Sequence, residues 1–225
     1  MTDRILVINP NSSQGVTDAM DRALEPLRMQ GGPAIACATL AEGPPGIETA
    51  RHVAEVVPPL CAMIGREDNR SDAFVIACFS DPGLHAARET TRKPVFGIGE
   101  AGLTTALNLG ERVGVIAILP ASTRRHGRMV RTLGIAERFA GSLAIDMGVV
   151  ELADEGRTSG RLREVGRRLK DEKGADVVVL GCAGMARYRA GLQDELGIPV
   201  VDPTQAAVGM AVTALRVGFR SPARA

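Results

Sequence analysis

The sequence predicts an α/β fold built on parallel sheet. Three observations carry this: the apolar runs are short, they alternate with longer amphipathic stretches, and the order of elements occurs twice. Short runs that end in Gly, Pro or Asn and are separated by helical patterns mark βα units. Their near-continuous apolar character suits strands covered by helices on both faces. In order, Ile5 to Asn9 reads as a strand stopped by Pro10, and Gly15 to Met29 as the helix after it. Ala34 to Leu40 is a second strand, and Ile47 to Ile64 a helix that Pro58-Pro59 kinks or interrupts. Ala73 to Phe79, the helix Gly83 to Thr91, the short strand Val95 to Ile98 and the helix Gly102 to Leu109 complete the first half. The second half reads as strand Val113 to Leu119, helices Ala121 to Leu133 and Gly160 to Lys173, and strand Val177 to Cys182. Helix Met185 to Leu196, strand Val200 to Asp202 and helix Thr204 to Val217 follow.

The repeat is visible when the two strongest strands are laid on each other. Asp72 precedes Cys78 by six positions in DAFVIAC, and Asp176 precedes Cys182 by six in DVVVLGC. A Pro opening another short strand follows each Cys, Pro94 after 16 positions and Pro199 after 17. Before each Cys lies a strand ending in a Pro loop with hydroxyls, Pro10 to Ser13 and Pro120 to Thr123. Two half-chains of about 100 residues are expected, since repeats of this kind report architecture. Residues 1–98 plus 204–225 are expected to form the first domain and residues 99–203 the second, joined near Gly99 to Gly102.

Composition limits the function. A chain of 225 residues with 45% hydrophobic residues and a net charge of +1 is globular and lacks the basic excess that nucleic acid or an anionic membrane attracts. Aromatic residues at 3%, with no Trp, leave no platform for stacked bases. No apolar stretch approaches the roughly 20 residues that span a bilayer, and MTDRILVINPN lacks a signal-peptide pattern. A cytoplasmic protein is expected, whose partners are a small-molecule substrate and further copies of the same chain.

Four cysteines, Cys37, Cys61, Cys78 and Cys182, show no CxxC pairing, so neither a zinc site nor a disulfide framework is expected. His52 and His85 lack partners at metal-ligand spacing. Gly97-Ile-Gly-Glu-Ala-Gly102 matches GxGxxG, yet no acid follows between Val113 and Ala136 to hold a ribose. A domain-joining loop fits that segment better than a nicotinamide nucleotide site, and no cofactor is expected. The basic residues Arg124, Arg125, His126, Arg128 and Arg131 spread around a helix and read as a solvated face.

Cys37 and Cys61 sit among small apolar residues and read as packing. Cys78 and Cys182 each end a buried strand, at the sheet edge where ligands of parallel α/β folds bind. A helix N-terminus following each would favour the thiolate over a free thiol of pKa about 8.5. Two thiols related by a pseudo-twofold would face each other across a cleft. One can take a proton from carbon while the other delivers one to the opposite face. Such a pair suits a substrate and product that are mirror images.

The motifs VINPNSS at Val7 to Ser13, VIACFSDPGL at Val75 to Leu84, GIGEA, VLGCAGMA at Val179 to Ala186 and GIPVVDP at Gly197 to Pro203 resemble one known family across nearly the whole chain. It is the aspartate/glutamate/hydantoin racemase superfamily, and within it the hydantoin and allantoin racemase branch. The resemblance implies two pseudo-symmetric α/β domains, each a mostly parallel sheet flanked by helices, with the active site between them. It also implies cofactor-independent racemisation by Cys78 and Cys182. By the same comparison Pro10, Asn11 and Ser12 contact the substrate, Phe79 and Ser80 line the first thiol's side, and Gly181, Ala183 and Gly184 the second's. Aspartate and glutamate racemases tend to carry Thr beside their cysteines, where this chain has Phe79 and Ala183, so a ring-shaped, less charged substrate is expected.

Two departures put the substrate's identity in question. Ala117 and Ile118 stand where the branch usually has a Thr pair, and Ile47-Glu48-Thr49-Ala50 replaces its I-E-G-H/Y segment. The expected activity is inversion of a stereocentre next to a carbonyl in a 5-substituted hydantoin or allantoin-like ureide. An aspartate/glutamate-type amino-acid racemase and a non-catalytic small-molecule binding protein are the alternatives. Iodoacetamide titration is expected to separate the last, with two inert thiols favouring it.

Overall fold

A computed structural model describes residues 2–219. The first half runs β1 (Arg4–Asn9), α1 (Gln14–Ala23), β2 (Ala34–Thr39), α2 (Ala50–Glu55), α3 (Val57–Glu67), β3 (Ala73–Ile76), α4 (Leu84–Thr90) and β4 (Val95–Gly97). The chain continues through α5 (Ile98–Ala106), β5 (Val113–Ala117), α6 (Pro120–Thr132), β6 (Phe139–Ala144), α7 (Glu155–Lys173), β7 (Val177–Leu180), α8 (Arg189–Leu196), β8 (Val200–Val201) and α9 (Pro203–Val217). Two four-stranded sheets result, ordered β2-β1-β3-β4 and β6-β5-β7-β8, with every pairing parallel.

The shared order has a shared chemistry. Asp72 Oδ2 accepts from the Arg4 N–H at 2.9 Å, at the start of β1, and Asp176 Oδ1 from the Arg112 N–H at 2.8 Å, just before β5. The Phe74 N–H donates to the Pro94 carbonyl and the Val178 N–H to the Pro199 carbonyl, both at 2.9 Å. The acids and prolines of the repeat thus fix strand register at the same places in each half.

β6 is absent from the expectations. Every residue of Phe139–Ala144 is only partly buried, so it forms no continuous apolar run, and Gly141 lies at φ 141 beside a register shift at Val113/Gly114. The expected helix over 47–64 is interrupted: α2 ends at Glu55, and Pro58-Pro59 lie in the first turn of α3, where missing N–H groups cost nothing. The GIGEA segment is a helix rather than a loop, since α5 starts at Ile98. The expected boundary at 98/99 therefore falls in the first turn of α5, whose side chains are shared. Ile98 and Ala101 pack with Ile5, Val7 and Val75, while Leu103 and Ala106 pack with Val115 and Val179. Ala207, Val208 and Ala211 of α9 return to the first sheet; residues 220–225 of the expected first domain lie outside the described residues.

Each glycine of GxGxxG has a packing reason. A Cβ at Gly97 would lie 2.4 Å from the Asp81 Cγ, at Gly99 2.3 Å from the Phe79 carbonyl oxygen, and at Gly102 2.8 Å from Pro203. Among the described residues no helix is long and apolar enough to cross a membrane, and no group of three or more His, Cys, Asp or Glu could hold a metal ion.

Candidate active site

The central strands of each sheet end in the same way. The Ala77 N–H donates to the Ile8 carbonyl and the Gly181 N–H to the Ile116 carbonyl, both at 2.8 Å, and the next residue in each case is the cysteine. Cys78 and Cys182 thus leave the ends of β3 and β7 at equivalent positions. Both line one cavity of about 30 Å³, room for a water or two. A groove of about 740 Å³ beside α9 and β4 shares no lining residue with it and carries no such constellation.

The two halves interlock around this cavity. Phe79, which follows Cys78, is buried with Val115, Val130 and Val179 of the second half. Ala183, which follows Cys182, is buried with Val7, Val75 and Val208 on the first sheet. Each thiol-bearing turn is therefore anchored in the other half's core, which fixes the thiols relative to each other.

Of the residues expected at the site, Asn11, Phe79, Ser80, Gly181 and Ala183 join the two cysteines in lining the cavity. Pro10, Ser12 and Gly184 do not. The Pro10 carbonyl lies where a Cβ at position 43 would be, 2.3 Å away, and the Ser12 N–H donates to the Pro44 carbonyl at 2.9 Å. Gly184 is buried against Leu152, though its N–H reaches the Cys182 sulfur. Asn11 is held by its Oδ1, which accepts from the Ser13 N–H at 2.9 Å and from Asn9 Nδ2 at 3.0 Å. Ile118 lines the cavity, so the replacement of the Thr pair adds an apolar wall there, whereas Ala117 stays outside that wall, its carbonyl accepting from the Ile145 N–H at 2.9 Å.

The solvated-face reading of the basic cluster fails at two positions. His126 is 2% exposed and lines the cavity, its Nδ1 2.9 Å from Ser142 Oγ and its ring edge-on to Phe79 at 4.8 Å between centroids. Burial, and then the Arg125 charge, push it down to about 3, so it is neutral at ordinary pH. Arg125 is half-buried in the same wall and donates to Ser80 Oγ at 3.2 Å, the Glu48 carbonyl at 3.0 Å and Ser122 Oγ at 2.8 Å. The repeat held a signal for this wall: superposing Pro120 on Pro10 puts Ser122 on Ser12 and His126 on Val16, and Val16 lines the cavity too. Ser122, Arg125 and His126 then share one helix face by their spacing.

The thiols differ from the expectation of a lowered pKa. Burial pushes Cys78 up to about 12, opposed by the Ser80 N–H and the Arg125 charge and reinforced by Cys182 and Asp81. Burial likewise pushes Cys182 up to about 11, opposed by the Gly184 N–H and reinforced by Glu48 and Asp202. Neither sulfur caps an α-helix. A turn closed by the Asp81 N–H to the Cys78 carbonyl at 2.9 Å follows the first, and a 3-10 turn, Ala183–Tyr188, follows the second. Desolvation in the closed cavity outweighs the few N–H dipoles present. Slow alkylation is accordingly expected of a working enzyme as well as of a binding protein, and inert thiols no longer separate the two.

Residues 5–211 match the Asp/Glu/Hydantoin racemase family. The chain belongs to that family. A hydantoin racemase of Paenarthrobacter aurescens is 35% identical over 97% of this chain and 93% of its own. A hydantoin racemase of Rhizobium meliloti is 37% identical over 96% of this chain and 90% of its own. The solved allantoin racemase from Klebsiella pneumoniae superposes with a TM-score of 0.93 at 32% identity, covering 98% of this chain and 91% of its own. The protein is thus an isomerase of the racemase type, with the α/β architecture of this racemase family.

Proposed function

We propose that this racemase inverts the stereocentre alpha to a carbonyl in a 5-substituted hydantoin or allantoin-like ureide, with Cys78 and Cys182 as alternating base and acid. The observation that carries the reading is that equivalent strand ends of the two repeats bring one thiol each to a single cavity. The thiolate on one face takes the proton from carbon, and the C–H electron pair moves into the carbonyl to give an enolate. The thiol on the other face then delivers its proton to that carbon, leaving the first sulfur protonated and the second ionised. The opposite enantiomer exchanges the roles.

The walls Ile47, Ile118, Phe79 and Val149 support a compact, weakly polar ring. The Asn11 side chain and the Ser80 hydroxyl, both in the wall, supply the few polar contacts that such sites use for orientation. A cavity of about 30 Å³ is far below the roughly 300 Å³ of ordinary ligand sites, so the wall must give way on binding. An adjoining cavity of about 280 Å³ lies across Ser80, Arg125 and His126, which line both.

The test is a circular-dichroism screen of hydantoins, allantoin, aspartate and glutamate with the purified protein. Loss of optical activity with the ring compounds is expected, with solvent deuterium entering the inverted carbon. Turnover of the free amino acids alone would replace the ring-substrate reading. Full activity in Cys78→Ser or Cys182→Ser would sink the two-thiol mechanism.

A further inference from the structure

The Arg125 guanidinium is half-buried in the cavity wall, yet its three hydrogen bonds all go to uncharged oxygens. No carboxylate forms an ion pair with it among the described residues, where Arg88, Arg138 and Arg161 all have one. A partly desolvated charge without a counter-ion is costly, and it repays that cost when an anion forms beside it. Its neighbours make the location specific. Arg125 Nε donates to Ser80 Oγ, and the Ser80 N–H reaches the Cys78 sulfur. The charged groups acting on Cys182 are Glu48 and Asp202, both acidic. Aligned on the two prolines Arg125 falls on Gly15, and aligned on the strand ends Ile8 and Ile116 it falls on Thr17, so the first half supplies no matching cation. The cavity is therefore symmetric in its thiols and asymmetric in its charge.

We propose that Arg125 is a catalytic residue of this racemase, the counter-ion for the Cys78 thiolate and for the enolate oxygen that forms when the substrate loses its proton. The assignment rests on the two-thiol reaction above. When Cys78 is the base, negative charge moves from its sulfur to the substrate oxygen as the C–H pair enters the carbonyl, and the guanidinium lines the cavity in which this happens. When Cys182 is the base, the enolate forms against the same cation and the proton comes from the Cys78 thiol, which leaves as thiolate beside Arg125. Enantiomers have equal free energies, so loss of this charge must lower kcat/KM equally in both directions. The other groups facing Cys78 are Cys182, the Asp81 carboxylate and neutral His126; Asp81 opposes the thiolate, which leaves Arg125 as the cation favouring it.

The test compares Arg125→Gln and Arg125→Lys in the full-length protein. Iodoacetamide modification of Cys78 and Cys182 is followed peptide by peptide at one alkaline pH, with Cys182 as the internal reference. In Arg125→Gln the Cys78 rate relative to Cys182 is expected to fall about tenfold or more, and in Arg125→Lys to stay close to wild type. In Arg125→Gln kcat is expected to fall by about a hundredfold with a smaller change in KM, and kcat/KM to fall equally in both directions. Should the Gln variant fail to fold, Arg125→Met keeps the stem and repeats the measurement. An unchanged Cys78 to Cys182 ratio with kcat retained would overturn the assignment, as would a loss of kcat rescued by neither Lys nor added guanidinium. If the wild type racemises none of the ring compounds, the proposed reaction fails, while the alkylation ratio still decides whether Arg125 is the counter-ion of Cys78.

Discussion

Moving one carboxylate from the turn after Cys78 to the N-cap of the helix it serves tests the internal symmetry directly. In the second half Asp202 is the N-cap of α9, its Oδ1 accepting from the Gln205 N–H at 2.8 Å. The equivalent N-cap of α5 is Gly97, and the carboxylate there comes from Asp81 in the turn after Cys78. Asp81 Oδ1 accepts from the Gly99 N–H at 2.8 Å and Oδ2 from the Glu100 N–H at 2.7 Å. Asp81→Gly keeps the backbone at ease, because Asp81 has φ 45, but strips both first-turn N–H groups of their acceptor. At about 1–2 kcal/mol per orphaned donor the loss is roughly 2–4 kcal/mol. With an m-value near 3 kcal/mol per M, the urea midpoint falls by about 1 M. Gly97→Asp alone also destabilises, since its Cβ would stand 2.4 Å from the Asp81 Cγ and two carboxylates would crowd one helix end. The pair Asp81→Gly/Gly97→Asp restores an N-cap of the second half's kind, and about 1–2 kcal/mol should return. The assay is a double-mutant cycle of urea midpoints. A double variant whose loss equals the sum of the single losses would refute the reasoning.

Gly181→Ala places a Cβ 2.4 Å from the Ile116 carbonyl oxygen, which is backbone and cannot yield, so a loss of about 1–3 kcal/mol is expected in urea denaturation. Phe79→Ala empties the contact between the Cys78 turn and the second half and should cost about 3–5 kcal/mol, read by the same titration. His126 falls to about 3 in the fold from an ordinary 6.5, so between those values the unfolded chain binds more protons. Its contribution to stability is therefore present above about 6.5 and lost as pH falls toward 3. Urea midpoints measured across that range should decline less steeply in His126→Asn than in the wild type.

The βα rhythm, the repeat and the position of two cysteines at matching strand ends were legible in the sequence. They depend on local period and on spacing, which a chain carries in one dimension. The repeat held more than the apolar runs did: β2 in the first half requires a counterpart in the second, which is β6, though Phe139–Ala144 has too little burial to announce itself. The glycines of GxGxxG were visible as a motif, but their reasons lie in Asp81, the Phe79 carbonyl and Pro203, each brought close by the fold.

What the sequence determined by itself was the scaffold and a pair of thiols, one at the carboxyl end of a central strand in each sheet. Only the tertiary structure decided the wall around them and their protonation. Arg125 meets the Glu48 carbonyl across 77 residues, and His126 becomes an apolar-pocket imidazole because Phe79 of the other half covers it. The same enclosure raises both thiols, since desolvation sums over every segment that excludes water and has no local sequence signature.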